Sequence, residues 1–149
     1  IMLGVLPAVA ALGAAYVVFS RQLEAAEASA EGIRILSNGR QRPTTRASRL
    51  SMVRVCFTLL ENRIASAGSK TLHLQVSNDS GQILMGEQSA NANDLGNPVS
   101  ATRELDYNNE RIEACIFFIP STERIPAGIY TINILEGNEV IGSTQLVLS

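Results

Sequence analysis

Two cysteines and a single histidine are the side chains of this sequence best suited to covalent or metal chemistry. Cys56 and Cys115 fall in two separate strand-like segments. Two readings are open for them: an inter-sheet disulfide in an oxidising compartment, or a pair of reduced thiols buried as small apolar residues. On a loop-entropy estimate, a bridge between them would stabilise the fold by about 4 kcal/mol. His73 lies on the polar face of an alternating segment. It has no ligand or triad partner at a recognisable spacing, so it reads as a surface or hydrogen-bonded residue. Glu104, Asp106, Glu110 and Glu113 form an acidic cluster without the ligand spacing of a calcium loop, and read as a solvated face. Glycines mark turns, and no glycine-rich phosphate loop is present. No catalytic residue, metal site or cofactor is therefore expected, and a structural or binding role is expected in place of an enzymatic one.

Composition narrows the choice further. Of 149 residues, 46% are hydrophobic, 17% charged and 5% aromatic, with a net charge of -2. These values exclude a disordered tail and a strongly basic nucleic-acid binder. The length suits one domain with an appendage. Charge is unevenly placed: residues 34–63 hold seven arginines against one glutamate, whereas residues 64–149 hold four basic residues against ten acids. Arg40, Arg42, Arg46 and Arg49 form a basic collar. Anionic headgroups or a polyanion would suit it. The near-cancellation of the two charges favours packing against acidic protein surface, its own or a neighbour's. No aromatic side chain is interleaved to stack a base, so nucleic acid is not an expected partner.

The elements that must carry these residues differ along the chain. Residues 1–19 include no charged side chain, and a helix of that length, at about 1.5 Å per residue, spans roughly 28 Å of bilayer. A single transmembrane helix is expected there. Its Gly4, Ala8, Ala11 and Ala15 recur at spacings of three and four, a surface that another helix could approach closely. A cleaved signal peptide is the lesser reading: Ala28-Ser29-Ala30 fits a cleavage pattern, but no basic region precedes the apolar stretch. Helix formers in residues 20–31 predict a short helical extension that stops at Gly32. Residues 32–50 then read as an arginine-rich collar or linker, opening on a short β-like run over 32–36 and a turn at Ser37-Asn38-Gly39.

From residue 51 the period changes to two. Val53, Val55, Phe57 and Leu59 alternate with Arg54, Cys56 and Thr58, and Leu72, Leu74 and Val76 alternate with His73 and Gln75. Further strands are expected over 82–85, 99–106, 112–119, 129–135 and 140–148, the last two joined at Gly137-Asn138 as a tight hairpin. Seven short strands predict a mainly β fold: an antiparallel, immunoglobulin-like β-sandwich over 51–149, after the N-terminal membrane helix.

Four segments carry a resemblance: NGRQRPTTRASR, VRVCFTLLENRIASAGSKTLHLQVSN, LDYNNERIEAC and PAGIYTINILEGNEVIGSTQLVLS. In this order they resemble the C-terminal domain of uncharacterised membrane-anchored coiled-coil envelope proteins from Bacteroidetes. The resemblance implies a single-span inner-membrane protein with its β-domain in the periplasm, and so favours the disulfide. It brings no catalytic residue. The long coiled coil of those proteins has no counterpart between residues 20 and 31. The expected function is a structural or protein-interaction module whose partners are the membrane and other subunits or copies of itself. Two alternatives are a pilin-like filament subunit, although Val5 stands where pilins typically carry Glu, and an accessory subunit of a larger membrane complex.

Overall fold

The computed structural model of the protein describes residues 22–87, 97–122 and 124–149. The expected membrane helix, with Gly4, Ala8, Ala11 and Ala15, lies outside them. Among the described residues no helix is long and apolar enough to cross a membrane.

Eight strands form two four-stranded antiparallel sheets. They are β1 (Ala25–Ile35), β2 (Gln41–Pro43), β3 (Met52–Leu59), β4 (Gly68–Ser77), β5 (Ala101–Tyr107), β6 (Ile112–Phe118), β7 (Gly128–Glu136) and β8 (Glu139–Leu148). One sheet has the order β2-β1-β3-β6 and the other β5-β4-β7-β8. The period-two segments put one face of each strand inside. Val53, Val55, Phe57 and Leu59 of β3 meet Leu72, Leu74 and Val76 of β4 and Tyr130, Ile132 and Ile134 of β7 in one apolar core. The β7–β8 hairpin forms at Gly137-Asn138 as expected, with Gly137 at φ 62° and Glu136 opposite Glu139. A glycine with positive φ in the first central position suits a tight hairpin turn.

Three expectations about the elements are corrected. The helical extension is absent over 25–31, which instead begin β1, hydrogen-bonded along β3 from Ala25↔Leu59 to Ile33↔Met52 with an irregularity between Ala26 and Ser29. Helix propensity is a few tenths of a kcal/mol per residue, and a long ladder on the open edge of β3 outweighs it. The strand expected over 82–85 is reduced to the isolated bridge Ser77↔Ile83. Residues 32–50, read as a linker opening on a β-like run, keep that run as the end of β1, but also add β2 and supply a 3-10 turn whose Ala47 lies in the core. Ser149 N donates to Thr45 O at 2.7 Å, and Ala47 N donates to Ser149 O at 3.0 Å, so this segment is sewn to the end of β8.

Every main strand runs between two ends of the sandwich. The proximal end holds the start of β1, the β3–β4 connection and the β5–β6 and β7–β8 turns. The distal end holds β2, the 3-10 turn, the β6–β7 connection and the end of β8. β1 has 11 residues, which at about 3.3 Å each separates the ends by roughly 35 Å. A buried tyrosine closes each end: Tyr107 Oη donates to Leu60 O at 2.8 Å, and Tyr130 Oη donates to Pro126 O, four residues upstream. Burial holds both phenols above the ordinary tyrosine value. A backbone hydrogen bond with Asn62 opposes this at Tyr107 while Glu61 reinforces it, and Asp79 reinforces it at Tyr130.

Because the folded state keeps both phenols protonated more firmly than the unfolded chain does, stability is intact below the usual tyrosine value and falls as pH rises above about 10. Urea unfolding at pH 8 and pH 10.5 checks this, and Tyr130→Phe flattens the fall. At pH 8 that variant loses about 1–2 kcal/mol because the Pro126 carbonyl is left without its donor. Gly142→Ala is destabilised by about 1–3 kcal/mol, since a Cβ there would lie 2.6 Å from Ala25 O. An unchanged denaturation midpoint would contradict this packing of β8 against β1.

Candidate functional site

Cys56 on β3 and Cys115 on β6 stand directly opposite each other and are joined by a disulfide, with 4.0 Å between their Cα atoms. The bridge is not inter-sheet. Val55, Phe57, Ala114 and Ile116 are buried on the inner face, so alternation turns both cysteines outward, and the bond ties neighbours within one sheet. The sequence pattern already placed Cys56 with Arg54 and Thr58 on the polar face.

Beside the bridge is a hollow of 470 Å³ whose lining includes Glu27, Thr58, Arg103 and Glu113. Glu27 has φ 55° at the irregularity in β1, and its carboxylate receives Thr58 Oγ1 at 3.5 Å and Arg111 Nη2 at 3.4 Å. Arg103, an edge residue of the opposite sheet, donates to the Cys115 carbonyl. Glu27 is thus already engaged by its neighbours, and the sulfurs, bonded to each other, present no thiolate. His73 lies on the other sheet, buried, with Nδ1 2.9 Å from Thr102 Oγ1. Among the described residues no group of three or more His, Cys, Asp or Glu is placed to hold a metal ion.

The arginines occupy a different place from the one the word collar suggests. β1 carries the chain from the proximal to the distal end before the first of them, so Arg34, Arg40, Arg42, Arg46 and Arg49 lie far from where the chain enters the sandwich. All five are exposed, and among the described residues none has an acidic side chain within ion-pair distance. Arg34 and Arg42 stand directly opposite each other across β1 and β2. Like charges in that position repel, so the pair opposes the hairpin that holds it.

The proximal end has the opposite sign. Glu104 and Asp106 lie on β5, Glu110 in the β5–β6 turn and Glu113 on β6, and Glu136 and Glu139 flank the β7–β8 turn. Lys70 reaches Glu136 at 4.0 Å, Arg63 pairs with Glu61 and Arg111 with Glu27. Asp106, Glu110, Glu113 and Glu139 are exposed without such a partner among the described residues. The sequence alone showed two oppositely charged segments. It did not show that strand topology would carry them to opposite ends.

Two four-stranded antiparallel sheets packed across one apolar core define a β-sandwich. Residues 26–149 match the family described as Domain of unknown function (DUF8428), and the chain belongs to that family. No curated protein matches it. The match starts within a residue of the start of β1, in agreement with a domain that begins before residue 51.

Replacing both cysteines, Cys56→Ala with Cys115→Ala, lowers stability by about 4 kcal/mol on the loop-entropy estimate. The two-strand ladder around the bridge keeps the β circular-dichroism spectrum unchanged. Equal urea midpoints for the oxidised protein and this variant would show that the bridge contributes nothing.

Proposed function

We propose that this protein is a single-span envelope protein whose sandwich is a structural and protein-interaction module outside the cytoplasm, without catalytic activity. The sandwich is read as immunoglobulin-like. In support, β3 pairs with β1 and β6 in one sheet while β4 pairs with β5 and β7 in the other. The Tyr130 hydroxyl also bonds back to Pro126, two residues before β7, as the tyrosine corner of such sandwiches does. A disulfide suits the periplasm better than a reducing cytosol. Residues 1–19, through their uncharged length, are the proposed anchor, with Gly4, Ala8, Ala11 and Ala15 contacting neighbouring helices. The proposed kinship with membrane-anchored Bacteroidetes proteins agrees with this arrangement.

One observation carries the reading: a group of exposed, unpaired arginines held roughly 35 Å from the point where the chain enters the fold. An anchored domain built this way presents its basic end to a partner away from its tether. The filament-subunit alternative is favoured by a separate observation, the opposite signs of the two ends, which suits repeated contacts between copies.

Fractionation of the native cells tests the anchor. The full chain is expected in the membrane pellet after an alkaline carbonate wash, with its sandwich cleaved by protease added to spheroplasts. A chain in which a cleavable signal peptide replaces residues 1–21 is expected in the soluble periplasmic fraction. Recovery of the full chain in the cytosol would sink the proposal.

A further inference from the structure

We infer that the sandwich binds a second copy of itself, the arginine-bearing distal end of one copy seating on the acidic proximal end of the next. This names the partner of the interaction module proposed above and rests on that reading, but it does not depend on residues 1–21 spanning a bilayer.

The two surfaces are opposite in sign. Distally, Arg34, Arg40, Arg42, Arg46 and Arg49 are exposed and without an ion pair among the described residues. Proximally, Glu24, Asp106, Glu110, Glu113 and Glu139 are exposed and equally unpaired. Asp79 and Glu87 are the described acids at the distal end, and Arg63, Lys70 and Arg111 at the proximal end are each engaged by a glutamate of their own chain. An arginine supplies a planar fork of donors that a carboxylate accepts in pairs. Seating the distal end on such acids would relieve the repulsion built into the Arg34–Arg42 juxtaposition.

Geometry leaves the β5–β6 part of the acidic surface accessible. The chain enters β1 along the side of β8, where Gln22 Nε2 donates to Val140 O at 3.4 Å and Ala25 crowds Gly142. Asp106, Glu110 and Glu113 lie on the opposite side, on β5, β6 and the turn joining them, both strands being sheet edges. The arginines of β1 and β2 occupy the other free edge of their sheet. Basic and acidic surfaces are thus diagonal across the molecule. A contact between unlike surfaces does not close on itself, so it repeats, copy upon copy, with a stagger of about one strand length.

The test uses the full chain in mild non-ionic detergent, sized by light scattering and sedimentation. At 20 mM NaCl the protein is expected to form a concentration-dependent ladder of multimers, and at 300 mM NaCl to weaken at least tenfold in association, because exposed charges are screened beyond a few ångströms. Two charge-reversed chains sharpen it, R40E/R42E/R46E/R49E and D106K/E110K/E113K. Each alone stays at its unassociated size, its two ends now alike in sign. Mixed, they associate with each other, which a folding defect would not produce. Failure of the mixture to associate overturns the inference. So does a wild-type chain that stays unassociated at 20 mM NaCl but is retained on a sulfated-polysaccharide column through the four arginines. In that case the partner is a polyanion and the interaction reading survives. An unassociated chain that is not retained overturns both.

Discussion

The backbone pairing of β3 is the constraint on which the structure depends. Its inner row, Val53, Val55, Phe57 and Leu59, is essentially removed from water and forms the floor of the core. A strand so placed has a row of N–H and C=O groups on each edge, and burying them unpaired would cost more than any local preference returns. β6 satisfies one edge over seven consecutive pairs from Val53↔Phe118 to Leu59↔Ile112. β1 satisfies the other, and alanines and glycines make that fit possible. Ala25, Ala28 and Ala30 pack on the core without filling the space β8 needs, and at Gly32 a Cβ would collide with the Thr44 carbonyl.

The pairing of β1 with β3 also decides where the charges lie. A helix over residues 20–31 would have left the arginines next to whatever precedes the domain, as a collar. A strand of the same residues carries them to the far end, and the segment after it crosses back to bond with Ser149. The disulfide has the same origin. β3 and β6 are neighbours in register, so two outward cysteines that face each other across the ladder meet without any contribution from the second sheet.

Much of this architecture is legible in the residues. Strict alternation marks β3 and β4, and Gly137-Asn138 marks the hairpin, because in both the local rule and the global requirement agree. The region before residue 32 reads as helix because its alanines and glutamates favour helix by composition, while the demand for a strand comes from the open edge of β3, far along the chain. An inter-sheet bridge is the wrong pair of layers for Cys56, although the residue alternates visibly with Val55 and Phe57. The pattern gives the face of a residue but not which strand will lie beside it. The bond from Tyr130 Oη back to Pro126 O is not legible, because a hydroxyl-to-carbonyl bond is nothing that a hydropathy pattern contains.

Charge at the two ends has a different standing from all these features, because folding does not call for it. Exposed strand and turn positions generally accept either sign within about 0.5 kcal/mol, so a sandwich gains nothing by sorting arginines to one end and carboxylates to the other. Arg34 opposite Arg42 is worse than neutral, since a carboxylate at either position would turn repulsion into attraction within the same hairpin. By contrast, the hollow beside the disulfide is internally satisfied at Glu27, which Thr58 and Arg111 both engage, and at Arg103, which is bonded to a backbone carbonyl. Groups that already satisfy one another hold a fold together, and groups left unsatisfied at a cost are the ones with something to offer a partner. On that criterion the charged ends, and not the hollow, carry the proposed contact with a partner.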